Sequence, residues 1–337
     1  MSNRLSLNDA RDLSVRVLMA AGVARENADS VAKALVAAEA DGLAGHGLSR
    51  LPAYADQARA GKVDGKAVPV LTEPAAAALM VDARDGFAFP AIERGLARGA
   101  EMVATAGVVG IGVTNSHHFG AAGYHVEPLA ERGLIAMVFG NSPAAIAPWG
   151  GSRALFGTNP IAFACPCAGR PPLVIDLSLS KVARGKIMVA AQKGEPIPEG
   201  WALDADGKPT RDAKAAMGGT MLPMGDAKGA ALVLMVEILS AALTGAHFGY
   251  EASSFFDAKG PPPRVGQFFF LVDPMRFGGM GFAARVGELA KAILDQPGTR
   301  LPGERRLALR ARAKAEGVAI PPELLSELTR RAGSAPA

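Results

Sequence analysis

Five short apolar runs constrain the fold of this chain more than any other feature of its sequence. Each has the length of a strand, and segments with helical periodicity lie near residues 91–106, 121–132 and 227–244. Strands that alternate with helices predict an α/β core. The five runs are VVGIGVT (108–114), LIAMVFG (134–140), PIAFACP (160–166), PLVIDLS (172–178) and QFFFLVD (267–273).

Helical periodicity dominates both ends of the chain. Ser6 followed by Asp9 is a variant of a capping box and predicts a helix that Gly22 ends. Two more helices are predicted over 26–40 and 48–60, and the last sixty residues are also predicted to be helical.

The regions between these helices and the core have a different character. A strand-like stretch over 68–81 is expected to turn near Pro74, and the turn-rich stretch 194–219 is expected to be an ordered loop or hairpin. The sequence therefore predicts a helical part formed by 1–75 with 285–337, and an α/β part over 76–284.

Composition excludes several classes of protein. The 337 residues are 49% hydrophobic and 20% charged, and the formal net charge is +4. This balance is typical of a globular protein, suits a small anionic substrate and predicts no nucleic-acid surface. The longest apolar run, 230–243, is too short and too interrupted to span a membrane. The two cysteines, Cys165 and Cys167, favour a reducing compartment, for which we expect the cytoplasm.

The first candidate site is the glycine-rich segment DGLAGHGLSR (41–50). A helix that begins near Leu48 would place Arg50 and Tyr54 on one face, with His46 over its first turn. An imidazole beside a guanidinium suits proton transfer on a small organic acid. The alternative is a helix start with a glycine turn and a surface arginine.

The second candidate is NSHHFGAAGYH (115–125), which directly follows a predicted strand and contains three of the five histidines. Strand ends that turn into helices are where α/β proteins place ligands. Adjacent His117 and His118 would point apart, and no carboxylate or cysteine stands at ligand spacing, so we expect no metal. A purely structural role for these histidines is the alternative.

Four further segments could contact a phosphate-bearing ligand. Each also has a plain structural interpretation, as a strand start, a helix cap, a helix start or a salt-bridged surface. No Rossmann, Walker, nucleophile-elbow or zinc-protease motif is present. The four segments are FGTNP (156–160), VIDLSLS (174–180), LPMGDAKGAAL (222–232) and RLPGERR (300–306).

Taken in order, these strings resemble the type 2 malate/L-lactate dehydrogenase family, whose nicotinamide-binding fold is unrelated to the Rossmann fold. The resemblance covers nearly the whole chain. It implies an α/β fold of that type with helical N- and C-terminal parts, a substrate and dimerisation role for the helical part, and a homodimer. The shared strings lie at 41–50, 115–120, 157–160, 175–178, 194–201, 204–210, 228–229 and 301–305.

Within the family, several strings are similar to the Δ1-piperideine-2-carboxylate/Δ1-pyrroline-2-carboxylate reductase branch. That branch implies reduction of cyclic 2-imino acids to pipecolate or proline by hydride transfer to C2, with NADPH as cofactor and NADH possible. The strings are GFAFPAI (86–92), HHFGAAGYHVEPLA (117–130), LFGTNPIAFACP (155–166), FGYE (248–251) and GPPPRVGQ (260–267).

The resemblance also implies roles for individual residues. His46 would donate the proton, Arg50 would bind the substrate carboxylate, and His117 and Thr158 would line the substrate pocket. The cofactor would contact three segments and one lysine. These are His118, Phe119, Gly120, Ala121, Ala122 and Gly123; Asp176, Leu177 and Ser178; Lys228; and Pro302, Gly303, Glu304, Arg305 and Arg306.

Two positions depart from the imine-reductase pattern. Gly45 stands where that branch has a serine, and Lys186 stands where it has an aspartate. A three-residue proton relay therefore cannot be carried over. Two alternatives stay open: a malate/lactate-type 2-hydroxyacid dehydrogenase, and a catalytically idle protein that binds a small molecule.

Overall fold

A seven-stranded mixed sheet forms the centre of the protein in the computed structural model, which describes residues 4–333. Its strand order is β2-β3-β4-β11-β5-β6-β7; β3 and β4 pair in parallel, and the other neighbouring strands pair antiparallel. Two small sheets accompany it, β1-β12 and β10-β8-β9. The strands are β1 (Arg4–Leu5), β2 (Val70–Ala75), β3 (Ala78–Asp82), β4 (Val108–Ser116), β5 (Ile135–Gly140), β6 (Ile161–Cys165), β7 (Leu173–Leu177), β8 (Ala202–Leu203), β9 (Pro209–Thr210), β10 (Thr220–Met221), β11 (Val265–Val272) and β12 (Val318–Ala319).

The helices lie at both ends of the chain and between the strands. Short 3₁₀ turns cover 44–46, 48–50, 274–276 and 279–281, and a π-helical turn covers 238–242. The α-helices are α1 (Leu7–Met19), α2 (Arg25–Ala40), α3 (Leu51–Arg59), α4 (Ala88–Ala106), α5 (Ala122–Glu131), α6 (Arg184–Lys193), α7 (Ala213–Gly218), α8 (Asp226–Glu237), α9 (Phe282–Leu294), α10 (Glu304–Glu316) and α11 (Pro322–Ala332).

The N- and C-terminal helices share one hydrophobic core. Apolar residues of α1, α2 and α3 pack there with Ala313 of α10 and Leu328 of α11. The Ser6 hydroxyl accepts a hydrogen bond from the Asp9 amide and caps α1, as its sequence predicts. Helix α9 packs elsewhere, because its Ala290 joins Cys167 and Leu301 in a small separate cluster. The division of the chain at residues 75 and 285 stays a prediction.

A second core lies between the large sheet and the helices α4 and α5. Alternate residues of β4, Val109, Ile111 and Val113, are wholly buried in it. Two small residues let α4 lie close to the sheet, since a Cβ on Gly95 or Gly99 would press on the side chain of Ile111. This packing fixes β4, and with it the polar segment that follows, from 115 onward.

Most of the predicted elements are present, and the α/β class is confirmed. The turn predicted near Pro74 is wrong by a few residues, because β2 continues through Pro74 to Ala75. β2 is an edge strand with a register shift between Thr72 and Ala75, where a proline without an N–H is tolerated. The sequence did not predict α6, whose first turn contains Gly185.

Among the described residues, 4–333, no helix is both long and apolar enough to cross a membrane.

Candidate functional site

One edge of the large sheet gathers the polar segments that the sequence indicates. β4 runs antiparallel to β11, β11 antiparallel to β5, β5 antiparallel to β6, and β6 antiparallel to β7. The C-terminal ends of β4, β5 and β7 therefore meet the N-terminal ends of β6 and β11 at the same edge. The segments 115–123, 156–160 and 176–180 all begin or end there.

The segment that carries His46 follows α2 and is shaped by its glycines. Gly42 has a positive φ of 75°, which ends the helix, and a Cβ on Gly47 would collide with the Glu39 carboxylate. That carboxylate accepts a hydrogen bond of 2.8 Å from the Leu48 amide. The chain then passes through two 3₁₀ turns into α3, so His46 and Arg50 stand together just before this helix.

Arg50 is held by two contacts that leave part of its side chain exposed. Its Nε donates to the Gly45 carbonyl oxygen at 2.7 Å, and its guanidinium carbon lies 4.7 Å from the centre of the Phe256 ring. Burial lowers the pKa of Arg50, but the group stays a cation at neutral pH. It is therefore a positive charge available to a carboxylate beside His46.

His46 is neutral at physiological pH. The surrounding protein and, to a smaller extent, the charge of Arg50 together lower the pKa of His46 to about 4, although the residue is partly open to solvent. Its ring stacks on that of His118 with centroids 5.7 Å apart. An imidazole in this state can accept a proton from a substrate hydroxyl.

His118 lies behind His46 and is fixed by Tyr54. The Tyr54 hydroxyl and Nδ1 of His118 are 2.6 Å apart, and both side chains are buried. Burial raises the pKa of Tyr54 and lowers that of His118 well below its usual value, so both groups are uncharged. Tyr54, which is predicted to share a helix face with Arg50, thus connects the first candidate segment (41–50) to the second (115–125).

His117 is buried without a hydrogen-bond partner on either ring nitrogen, among the described residues. The rings of Tyr54, Phe87 and Phe255 surround it at centroid distances of 5.4 to 5.9 Å. Burial, with smaller contributions from the charges of Lys62 and Arg50, lowers the pKa of His117 to about 3. A polar group left unpaired in such a place is typical of a binding site.

Sequence reasoning missed the turn that covers these histidines. The turn 254–259 brings Phe255 to 5.4 Å from His117 and 5.1 Å from His118, and Phe256 to Arg50. Two adjacent phenylalanines in a loop of polar residues were the available signal. Their partners lie more than 130 positions away in the chain, which no local pattern reveals.

A second group of predicted residues surrounds the start of α5. The Gly123 amide donates to Oδ2 of Asp176 at 2.7 Å, and a Cβ on Gly123 would lie only 3.1 Å from that oxygen. Burial raises the pKa of Asp176, while the Gly123 bond and the charge of Arg306 oppose the rise. The segments 118–123 and 176–178 therefore adjoin at one side of the site.

The lysine at position 228 lies beside the same strand. The Met224 amide donates to the Leu179 carbonyl at 2.8 Å, which fixes the start of α8 next to the segment after β7. Lys228 stands in the first turn of α8 with its side chain exposed. Gly225 precedes the helix with a positive φ of 66°, so the backbone turns sharply into an N-terminus that suits an anion.

The predicted basic turn 302–306 has two different arginines. Arg306 is engaged by protein, because its Nη atoms contact Glu127 at 2.7 and 2.8 Å and Asp41 at 3.1 Å. Arg305 is exposed and has no ion-pair partner among the described residues. Gly303 turns the chain with a φ of 88° and approaches the Val174 carbonyl. The cofactor roles assigned to 302–306 stay predictions.

Thr158 lies at the same sheet edge but not next to His117. Its carbonyl accepts from the Leu179 amide at 2.8 Å, which places it beside the segment after β7. In the sheet, β11 and β5 lie between β4, which His117 follows, and β6, which Thr158 precedes. A shared role in one pocket stays a prediction.

The two positions that depart from the imine-reductase pattern differ in their surroundings. A Cβ on Gly45 would meet no atom of residues 4–333 within 4 Å, and Lys186 is exposed in the first turn of α6. Within residues 4–333, no group of three His, Cys, Asp or Glu side chains is arranged to hold a metal ion. Cys165 and Cys167 are buried and not bonded to each other.

Comparisons with known proteins agree with this architecture. The family model for malate/L-lactate dehydrogenase matches residues 5–329. A (2R)-3-sulfolactate dehydrogenase (NADP(+)) from Chromohalobacter salexigens is 54% identical over 328 residues, which cover 97% of this chain and 98% of that protein.

Two solved structures have the same fold. One is a delta1-piperideine-2-carboxylate reductase from Pseudomonas syringae pv. tomato, with a TM-score of 0.93, 40% identity and coverage of 97% of this chain and 99% of that one. The other is a sulfolactate dehydrogenase from Methanocaldococcus jannaschii, with a TM-score of 0.90, 30% identity and coverage of 97% and 96%. The predicted fold type and the class of oxidoreductase are confirmed. This chain belongs to the malate/L-lactate dehydrogenase family.

Proposed function

We propose that this protein transfers a hydride from NAD(P)H to C2 of a small 2-oxo or 2-imino acid and, in the reverse direction, from C2 of the corresponding hydroxy or amino acid to NAD(P)+. The observation that carries the proposal is the pair of His46 and Arg50, which stand together in front of the buried His117 and His118. A cation that binds a carboxylate beside a group that exchanges a proton is the minimum that chemistry at C2 requires.

Arg50 would bind the substrate carboxylate. Its guanidinium is always charged and offers paired donors in one plane, and only its Nε is used by the Gly45 carbonyl. The Phe256 ring covers one face of the guanidinium, which leaves its edge for the substrate. With the carboxylate bound there, C2 would lie near His46.

His46 would exchange the proton at the oxygen on C2. In oxidation of a 2-hydroxy acid, the neutral imidazole accepts the hydroxyl proton while C2 loses a hydride; in reduction, the protonated imidazole returns it. A carboxylate on Arg50 would cancel the second cause that lowers the pKa of His46. Substrate binding itself would therefore make protonation of His46 easier.

The residues around Gly123 fit a dinucleotide. Gly123 leaves room where a Cβ would press on Asp176, Lys228 is an exposed cation in the first turn of α8, and Arg305 is an exposed cation in the first turn of α10. A bound nicotinamide coenzyme supplies or accepts the hydride. These cations suit a phosphate group, and NADP(+) is named for the 54% identical relative, so we propose NADPH, with NADH second.

For the substrate, we place a 2-oxo/2-hydroxy acid with a second acidic group first. The support is the 54% identity to a (2R)-3-sulfolactate dehydrogenase, together with Gly45 and Lys186 in place of the serine and aspartate of the imine-reductase pattern. This reverses the order expected from the sequence, which favoured a cyclic imino acid.

Reduction of a cyclic 2-imino acid is the second candidate. Its support is the structural similarity to a delta1-piperideine-2-carboxylate reductase, at 40% identity. A protonated imine accepts hydride without a further proton, so this reaction would depend less on His46 than reduction of a keto acid. The two candidates therefore predict different effects of a substitution at His46.

A panel of acids separates these candidates. We would measure kcat/KM for 3-sulfopyruvate, oxaloacetate, pyruvate, Δ1-pyrroline-2-carboxylate and Δ1-piperideine-2-carboxylate, each with NADPH and with NADH. The proposal expects turnover of 3-sulfopyruvate above that of the cyclic imines. A clear preference for an imine would support the second candidate, and binding of NADPH without turnover of any acid would indicate a catalytically idle binding protein.

We also propose a homodimer, which buries an exposed apolar surface on α8 and the π-helical turn. Five large apolar side chains between residues 232 and 243 are 39% to 57% exposed there, and exposed apolar surface is typical of an interface between subunits. Light scattering should give twice the chain mass, and a monomer would overturn the proposal. The five residues are Leu232, Leu234, Met235, Ile238 and Leu243.

Free Cys165 and Cys167 support a reducing compartment, for which we propose the cytoplasm.

A further inference from the structure

A buried lysine, Lys62, fixes the turn 254–259 through hydrogen bonds to its backbone. The Lys62 ammonium donates to the carbonyl oxygens of Ser254 at 2.7 Å, Asp257 at 3.0 Å and Lys259 at 2.6 Å. Gln57 of α3 adds two bonds of 3.0 Å, to the carbonyls of Phe255 and Asp257. Backbone groups of the turn are thus satisfied by two side chains that lie about 200 positions earlier in the chain.

A charged group at position 62 is a specific choice. The side chain of Lys62 is 0% exposed, and its nearest carboxylate oxygen, on Asp257, lies 3.6 Å away on a half-exposed residue. Burying an ammonium group is unfavourable unless its donors are paired, and here all three have carbonyl acceptors. An apolar side chain could fill the space, but it could not hold three carbonyls at once.

The turn presents its two phenylalanines to the site. Phe255 is buried against the rings of His117 and His118, and Phe256 is 60% exposed with Arg50 stacked on it at 4.7 Å. The guanidinium also donates a hydrogen bond to the Gly45 carbonyl oxygen. Movement of the turn would therefore free Arg50 to rotate and would open the space over the histidines.

We propose that Lys62 is a positioning residue for substrate binding, which acts by fixing the turn 254–259 so that Phe256 orients Arg50 and Phe255 closes the pocket over His117 and His118. The inference rests on the proposed role of Arg50 in binding a carboxylate. Lys62 contacts no reacting atom in this arrangement. Its effect passes through the turn.

The first test reads the orientation of Arg50 without any enzymatic activity. Phenylglyoxal modifies accessible arginines, and peptide mass spectrometry gives the rate at Arg50 itself. Lys62→Met and Phe256→Ala should each raise this rate several-fold in the full-length protein. Lys66→Met removes an exposed lysine near by and should leave it unchanged. An equal rate in the native protein and Lys62→Met would overturn the proposal.

The second test separates positioning from loss of folded protein. With the best substrate of the panel, Lys62→Met should raise the KM for the acid about fivefold, as expected for a lost cation–π contact and a looser pocket, with kcat per folded molecule nearly unchanged. A purely structural role would lower the folded fraction and leave KM as it is. That result would contradict the proposal.

A double-variant comparison tests the route. If Lys62 acts through Phe256, the variant with both Lys62→Met and Phe256→Ala should have a KM close to that of the more impaired single variant. A KM raised by the product of the two single-variant factors would show that Lys62 does not act through Phe256. If the native protein turned over no acid of the panel, the proposed function would fail, while the phenylglyoxal result would still decide whether Lys62 orients Arg50.

Discussion

The Tyr54 hydroxyl and Nδ1 of His118 lie 2.6 Å apart in the protein interior, and this contact joins the two histidine-bearing motifs. Burial raises the pKa of Tyr54, so its hydroxyl keeps its hydrogen and needs an acceptor. We infer that Nδ1 of His118 is that acceptor, so that the neutral ring carries its proton on Nε2. Tyr54 therefore sets the tautomer of His118, on which His46 stacks.

Tyr54→Phe should destabilise the protein and alter the site. The change leaves a buried imidazole nitrogen without its partner, at a cost of about 1–3 kcal/mol. Urea unfolding at pH 7.5 measures the loss. Tyr250→Phe is the matched control, because Tyr250 is exposed. Equal free energies of unfolding for the two variants would show that the Tyr54–His118 contact contributes nothing.

Stability should fall as the pH drops below 6.5. The pKa is lowered by burial to about 3 in His117, well below the usual value in His118 and to about 4 in His125. Between pH 6.5 and about 4 the unfolded chain therefore binds protons at these three positions that the folded chain does not. The free energy of unfolding is fully retained well above pH 6.5 and is lost on acidification, by up to about 4 kcal/mol per pH unit near pH 5.

Urea unfolding at pH 8, 6.5 and 5 checks this dependence. For these three histidines the free energy of unfolding should fall by only about 1 kcal/mol between the first two values, and by several times more between the second and the third. His117→Leu removes one of the three groups and should make the decline less steep. A free energy of unfolding that stays level from pH 6.5 to 5 would be incompatible with three buried neutral histidines.

Gly45→Ser should be tolerated, whereas Gly47→Ala should not. A Cβ at position 45 meets nothing within 4 Å, but one at position 47 would collide with the Glu39 carboxylate and lie 3.2 Å from its Cα. We expect the first change to alter stability by less than about 0.5 kcal/mol and the second to cost about 1–3 kcal/mol. Thermal unfolding of both variants measures the difference, and an equal loss of stability in the two variants would contradict this prediction.

Substitutions of Arg305 and Arg306, the two arginines of the basic turn 302–306, should have different effects. Arg306 bonds to Glu127 and Asp41, and Arg310 still contacts both carboxylates when Arg306 is absent, so Arg306→Ala should cost about 1–2 kcal/mol of stability through the lost charged hydrogen bonds. Arg305 is exposed, and Arg305→Ala should leave stability unchanged while raising the KM for NADPH more than that for NADH. Coenzyme titrations and thermal unfolding together check this. An unchanged KM for NADPH in Arg305→Ala, together with a loss of stability, would remove Arg305 from the cofactor site.

The sequence predicted the elements better than the contacts between them. The cap at Ser6, most helix and strand segments and the position of the His46 motif follow from local patterns, and the α/β class follows from the alternation of segments. The eight strings in family order identified the family. Helix α6 was missed because Gly185 and a mixed polar sequence weaken its periodicity.

What the sequence did not reveal depends on distant parts of the chain. The pairing of Tyr54 with His118, the hold of Lys62 on the turn 254–259 and the engagement of Arg306 by Glu127 each join residues that are far apart in sequence. Local periodicity carries no information about such pairs. They become visible only when the sheet edge and the helical core are assembled.

The most direct test of the central claim compares the native protein with His46→Ala in NADPH-dependent reduction of 3-sulfopyruvate and Δ1-pyrroline-2-carboxylate. We expect the native protein to turn over the keto acid, and His46→Ala to lose about 10²–10⁴ in kcat for it, with a smaller loss for the imine and unchanged binding of NADPH. Equal turnover of the keto acid by both proteins would contradict the account and would remove His46 from the chemistry.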